Sequence, residues 1–364
     1  MTDSLLLSEI HAQPAVLRRL LAAEAEHVRQ IAAKVRAANP RFVVLAARGT
    51  SDNAARYAAY LFGAHNRLPV VLALPSLYTQ YHAPPRMEGA LVIGVSQSGA
   101  SPDLVAVVAE GKRQGCATLA ITNIADSPIT QVADDVIWLR AGAEQSIAAT
   151  KTYTAQLFAL AMLSSALAES DTLMRQLARV PEMVAAALAP LSHEGRGDGL
   201  PRVLGGGGEG VSRAAELLKG AAHCVVIGRG FNFATAFEIA LKAKELAHVA
   251  AEPYSSADFL HGPIALVAGG FHAIGVVMDG AVADDVHALL AEMKQRGAQP
   301  IIISNREESL RLAAAPIALP ADIPEWLSPI VAVVPGQLLA YHLSVARGFD
   351  PDHPRGIQKV TRTM

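Results

Sequence analysis

The sequence repeats itself at a spacing of about 181 residues, which restricts the chain to two copies of one architecture. The run Phe42 to Gly49 returns as Cys224 to Gly230, and Ile93-Gly94-Val95 returns as Ile274-Gly275-Val276. Lys112-Arg113-Gln114-Gly115 is echoed by Lys294-Gln295-Arg296-Gly297, and Ala120-Ile121-Thr122-Asn123 by Ile302-Ile303-Ser304-Asn305. Each copy reads as a short apolar strand, a Gly-containing turn and a helix, then a second strand with its own turn and helix. That order predicts an α/β fold of two tandem doubly wound parallel sheets. Such sheets bind ligands at the carboxyl ends of their strands. The copies differ at that place. The first carries Ser96-Gln97-Ser98-Gly99-Ala100-Ser101 after its strand, and the second carries Val277-Met278-Asp279-Gly280.

The repeat divides 364 residues into a lead-in helix at 1–40, a first domain at 41–190, a linker at 191–221, a second domain at 222–345 and a tail at 346–364. Within the lead-in, residues 14 to about 37 have apolar positions at helical spacing, and Asn39-Pro40 ends the pattern. The linker holds the most punctuated stretch of the chain. Its tetraglycine, Gly205 to Gly208, has no Gly-Lys-Ser/Thr after it and reads as a linker or tight turn rather than a phosphate loop. The tail, with Pro351, Pro354 and Gly356, reads as a disordered end or as a segment laid over a site.

At 51% hydrophobic residues the chain can bury sizeable cores, and its apolar strands read as covered on both faces. The formal charge is −2, with no basic block, which argues against a nucleic-acid partner. Cys116 and Cys224 lie in or beside apolar strands and read as small buried hydrophobes, which fits a reducing cytoplasm. The first residues lack the basic start and apolar core of a signal peptide. Leu157 to Leu167, broken by serines, is too short to span a bilayer, so no membrane partner is expected.

Several residues could carry chemistry. Ser96, Gln97, Ser98 and Gly99 sit between a strand and the helix starting near Asp103, where hydroxyls, an amide and backbone N–H groups can surround a phosphate without a lysine. An ordinary N-capped turn uses the same residue types. Thr50 and Ser51 offer more donors at the same sheet edge. Glu238, Lys242 and Glu245 share one helix face. They read either as a solvated ladder or, in a partly dry cleft aimed at the sheet edge, as a base for moving a proton next to a carbonyl. His261, before Gly262-Pro263, has no metal spacing to other histidines, and no metal or cofactor is expected. Lys359, taken alone, reads as a solvated lysine near the chain end.

These residues occur together in an ordered set. Glu9 to Pro14, Gly49-Thr50-Ser51, Ser96 to Gly99, Ala149-Thr150-Lys151, Glu238 to Glu245, Ala251 to Tyr254 with His261-Gly262-Pro263, Gln337 to His342, and Pro354-Arg355 with Lys359 cover almost the whole chain. In this set the chain resembles the isomerase half of the glutamine–fructose-6-phosphate aminotransferases (glucosamine-6-phosphate synthases), a tandem pair of flavodoxin-like sugar isomerase (SIS) domains. The resemblance implies that Thr50, Ser51, Ser96, Gln97, Ser98 and Ser101 hold the phosphate of a hexose or hexosamine 6-phosphate, with the backbone of Ile147 and Ala149 facing the sugar. It implies that His261 opens the ring, from the neighbouring subunit of a homodimer. It gives Glu245 the proton transfer between C1 and C2, Glu238 and Lys242 supporting roles, and Lys359 an imine with the ketose.

Three departures shape the expected reaction. The synthases carry a glutaminase part with an N-terminal cysteine nucleophile, which this sequence does not include. Ala100 stands where they usually have glutamate, and Leu260 where many have lysine. The resulting expectation is the chemistry of the SIS-type deaminases, glucosamine 6-phosphate to fructose 6-phosphate and ammonia. Alternatives on the same scaffold are a phosphosugar isomerase, a deglycase of fructosamine phosphates, or an isomerase component fed by a partner. A sugar-phosphate-sensing regulatory protein is the non-enzymatic alternative.

Overall fold

The computed structural model describes residues 4–189 and 207–359 and divides the chain into two compact units, each built on its own parallel five-stranded sheet. The first unit comprises Ala12–Glu144, Ala149–Pro181 and the tail from Gln358; the second comprises the N-terminal stretch to His11, Gln145–Ala148 and Glu182–Ile357.

In chain order, α1 (Leu5–His11) belongs to the second unit and α2 (Gln13–Ala38) opens the first. There follow β1 (Phe42–Ala46), α3 (Thr50–Asn66), β2 (Val70–Leu72), α4 (Ser76–Thr79), β3 (Ala90–Ser96), α5 (Pro102–Arg113), β4 (Ala117–Thr122), α6 (Pro128–Val132), β5 (Asp135–Trp138), α7 (Lys151–Leu167) and α8 (Asp171–Leu177). The strand order is β2-β1-β3-β4-β5, with Val43 paired to Leu91 and Leu91 to Ala117. The expected lead-in helix is α2, whose Val16, Leu17, Leu20, Val28, Ile31 and Val35 are buried. It stops where Asn39 turns left-handed at φ 46 and donates its N–H to the carbonyls of Val35 and Arg36, ahead of Pro40. It packs on α7, whose residues 151–166 are all buried. A helix apolar on every side belongs in a core. Each buried Leu or Phe of α7 contributes about 1.5–3 kcal/mol, far more than helix propensity can.

The second unit repeats this plan. After α9 (Val180–Leu188) come α10 (Gly207–Leu218), β6 (His223–Gly228), α11 (Phe233–Ala247), β7 (Ala250–Ser255), α12 (Ser256–Leu260), β8 (His272–Val277), α13 (Ala283–Gln295), β9 (Gln299–Ser304), α14 (Glu307–Leu310), β10 (Ala315–Ala318) and α15 (Ser328–Ala346). The sheet reads β7-β6-β8-β9-β10, the same order shifted by one copy. Here α15 is the buried core helix, and α10 packs on it as α2 packs on α7. The stretch read as a linker therefore contains the second copy's own lead-in helix, and Gly207 and Gly208 of the tetraglycine are its first residues. Gly205 and Gly206 lie outside the described residues.

Two other features lie beyond the sequence reading. The tail from Arg347 is turns and bends as far as Lys359, and Asp352 on it caps α1 by accepting the N–H groups of Leu5 at 3.0 Å and Leu6 at 2.8 Å. Glu325–Ala346 is long and apolar enough to cross a membrane by length and composition. It is 78% buried inside the fold, as expected of a core helix. Cys116 and Cys224 are free and buried, and burial pushes the Cys224 thiol up to about 12.

Candidate active site

In the first unit the strand order reverses between β1 and β3, so the turns after these two strands face each other at the carboxyl edge of the sheet. Gly49, at φ 53, leads from β1 into α3, which Thr50 begins. Ser51 is buried, and its hydroxyl accepts a hydrogen bond from Gln156 at 2.9 Å. After β3, the Ser96 hydroxyl accepts the Gly99 N–H at 3.1 Å and the Ser98 hydroxyl accepts the Ala100 N–H at 3.3 Å. Gln97 and Ser98 are half-buried, and Ser101 stands at the N-cap of α5 without a side-chain cap bond. Gly99 has φ +62, and a Cβ there would run into the Ser127 hydroxyl, so only glycine lets this loop close. An ion pair joins the two turns. Arg48 Nε lies 2.8 Å from the buried Asp103, in the first turn of α5.

The second unit has the same frame with a different filling. Arg229, after β6, pairs with Asp285 of α13 at 3.0 Å, matching Arg48 and Asp103. Gly280 corresponds to Gly99, but there a Cβ would strike the Glu325 carboxylate, and Glu325 accepts the Ala281 N–H at 2.9 Å. The second copy's loop therefore already holds an internal anion. In the first copy's loop it is the Ser96 and Ser98 hydroxyls, not a carboxylate, that accept the Gly99 and Ala100 N–H groups.

Glu238, Lys242 and Glu245 form one cluster on α11. Lys242 Nζ lies 3.4 Å from Glu238 and 2.5 Å from Glu245. The side chains of Glu238 and Lys242 are 0% and 1% exposed, so the solvated ladder is ruled out, while Glu245 keeps 23%. Burial alone would lower the Lys242 ammonium, but the charges of Glu238 and then Glu245 outweigh it and hold its pKa well above the usual lysine value. The position of this cluster along α11 differs from the one the sequence predicts. The helix α11 starts at the carboxyl edge of its sheet and runs back toward the other edge, so Glu245, 12 residues beyond Phe233, stands ~18 Å along it. The cluster does not face the second sheet's carboxyl edge.

His261 does lie at that edge, after β7 and α12, and is exposed. Within the second unit the fold therefore puts His261 and Glu245 at opposite ends of one sheet. Its turn is set by Ser255, whose hydroxyl caps α12 by accepting the Asp258 N–H at 3.1 Å, and by Gly262 at φ +143. Ile147 and Ala149 are half-buried in the coil before α7. Lys359 differs from the solvated lysine of the sequence reading: its side chain is 27% exposed and lies 3.1 Å from Glu144, whose side chain is fully buried. Glu144 belongs to the coil after β5, so Lys359 stands at the same carboxyl edge of the first sheet as the Ser96 loop. Two strand spacings, ~10 Å, separate β3 from β5.

A family model of the SIS domain matches residues 38–166 and 217–347. This chain belongs to the SIS domain family. Among its SIS relatives, a glutamine–fructose-6-phosphate aminotransferase (isomerizing) of Thermococcus kodakarensis is 35% identical over 363 residues, covering 97% of this chain and 57% of that protein. The chain thus spans little more than half the length of such relatives. A candidate phosphosugar isomerase from Silicibacter pomeroyi superimposes with a TM-score of 0.82 at 31% identity, over 96% of this chain and 100% of that one. The C-terminal domain of glucosamine-fructose-6-phosphate aminotransferase from Francisella tularensis gives 0.83 at 26%, over 97% and 98%.

The SIS frame makes the Ser96 loop testable by itself. Replacing Ser96 and Ser98 together by alanine should weaken binding of inorganic phosphate or a sugar phosphate by about a hundredfold or more, because two lost hydrogen bonds to a charged ligand are worth roughly 1.5–3 kcal/mol each. Titration calorimetry reads this. Equal affinity in the double variant would rule the loop out as the anion site.

Proposed function

We propose that this SIS chain is a phosphosugar isomerase acting on hexosamine 6-phosphates, converting glucosamine 6-phosphate to fructose 6-phosphate and ammonia. One observation carries the reading: in the first unit an anion-type loop at the switch point and an anchored lysine, Lys359, share one carboxyl edge of the sheet. That spacing suits a sugar bound at one end by its phosphate and reacting at a carbonyl near the other end. The likeness to isomerizing aminotransferases and to a candidate phosphosugar isomerase supports it.

In this reading the phosphate sits on Thr50, Ser51 and the Ser96–Ser101 loop, and His261 assists ring opening. Glu245 takes the C2 proton of the open amino-aldose and returns it to C1 while a proton passes from the C2 nitrogen to O1, which turns the C1 aldehyde into an alcohol and leaves C2 as an imine. Water, or Lys359 followed by water, then adds at C2; ammonia leaves and a ketone remains. The separation of His261 from Glu245 within one unit supports a homodimer in which His261 serves a second copy.

The test is ammonia release from a panel of hexosamine 6-phosphates without glutamine. Glucosamine 6-phosphate should yield ammonia and fructose 6-phosphate in equal amounts. A mixed dimer of Glu245→Gln and His261→Ala chains should regain activity that neither parent dimer has. If no hexosamine phosphate releases ammonia while aldose and ketose phosphates interconvert, the enzyme is an isomerase without the deamination step.

A further inference from the structure

The coil between β5 and α7 carries a carboxylate that nothing in the sequence singles out. Glu144 is fully buried and makes four hydrogen bonds. One oxygen accepts the N–H groups of Thr150 at 2.9 Å and Thr152 at 3.1 Å; the other accepts the Thr152 hydroxyl at 2.6 Å and Lys359 Nζ at 3.1 Å. A buried carboxylate is tolerated only when its oxygens are satisfied. Three of these bonds come from the start of α7, where a negative charge also meets the positive end of the helix. They fix the carboxylate in place whether or not the tail is docked. The fourth comes from a residue 215 positions further on.

We propose that Glu144 is the positioning residue for Lys359: a fixed buried anion at the start of α7 that captures the tail ammonium and holds its nitrogen at the carboxyl edge of the first sheet. The pairing is local to the first unit and does not depend on the reaction. Its use does rest on the function proposed above, because imine formation needs Nζ within reach of a ketose C2. The bond geometry suits this. Four bonds restrain Glu144, whereas Lys359 keeps a flexible stem and 27% exposure, so the lysine can swing to a carbonyl while its anchor stays.

The experiment compares the wild-type chain with Glu144→Gln and Glu144→Asp. Trace acetylation by acetic anhydride, read by peptide mass spectrometry, reports how freely each lysine amine reacts. Lys359 should acetylate about fivefold faster in Glu144→Gln, the factor expected for losing a partly exposed ion pair of about 1 kcal/mol. Lys112, half exposed and paired with Asp134 in the same unit, should not change. Glu144→Asp keeps the charge at shorter reach and should also raise labelling, by less. If the Gln variant does not fold, the Asp variant decides. Unchanged Lys359 labelling in the folded variants overturns the proposal. A second arm adds fructose 6-phosphate and borohydride. Nζ joins C2 with loss of water and a proton, and hydride reduces the imine to a stable amine on Lys359. The wild type should gain this adduct and Glu144→Gln several-fold less. No adduct in the wild type removes Lys359 from the proposed reaction, while the labelling result still decides what holds it.

Discussion

Replacing Glu245 by glutamine should cut ammonia release from glucosamine 6-phosphate by about 10²–10⁴-fold, the usual worth of a positioned general base. Of the two carboxylates on this face of α11, Glu238 is fully buried and Glu245 keeps 23% exposure, so only Glu245 is open to a substrate. The buried Lys242, 2.5 Å away, orients that carboxylate. Glutamine preserves the shape and can still accept from Lys242, but it cannot take a carbon-bound proton. The loss should therefore appear in kcat, with binding of the sugar phosphate unchanged, because the Ser96 loop is untouched. A variant retaining a tenth or more of the wild-type rate would remove Glu245 from the proton-transfer role.

What was legible in the sequence was what is local. Alternating apolar strands and helices announce a doubly wound sheet because their periods are short, and the duplication makes the second copy a check on the first. The hydroxyl turn at Ser96 and the shared face of Glu238, Lys242 and Glu245 are likewise written within a few residues. Pairing across the chain is not. Glu144 with Lys359, Glu325 with the Ala281 N–H, and Asp352 with the start of α1 join residues 44 to 347 positions apart, and no spacing rule marks them. Direction was lost for the same reason. The sequence shows which face of α11 the cluster occupies, but its distance from the sheet edge depends on how far the helix runs back along the sheet. The fate of the tetraglycine follows from repetition: once each unit is seen to need a lead-in helix against its core helix, Gly207 becomes its first residue rather than part of a linker.

The largest stability effect should come from Lys242→Met. Removing the ammonium leaves Glu238 fully buried beside an apolar side chain, and breaking a buried pair from one side costs about 3–5 kcal/mol. That is a large share of the 5–15 kcal/mol typical of a domain. Urea unfolding should show the loss as a lower midpoint at an unchanged slope. Adding Glu238→Gln should recover part of it, since the double variant no longer buries a carboxylate that has lost its ammonium. The pH dependence has a definite sign. In the wild type the Lys242 pKa is raised above its unfolded value of 10.5, so its contribution is complete below that pH and is lost only as pH climbs through the higher folded value. Across neutral pH it is constant. In the variant Glu238 stays buried without the ammonium that lay 3.4 Å away, so burial favours its protonated form and folding takes up a proton. The deficit should be small below the unfolded glutamate pKa of about 4.3 and grow as pH rises toward 7. A deficit under about 1 kcal/mol, or one equal at pH 4 and pH 7, would mean that the Glu238–Lys242 pair does not hold the charge balance inside the second unit.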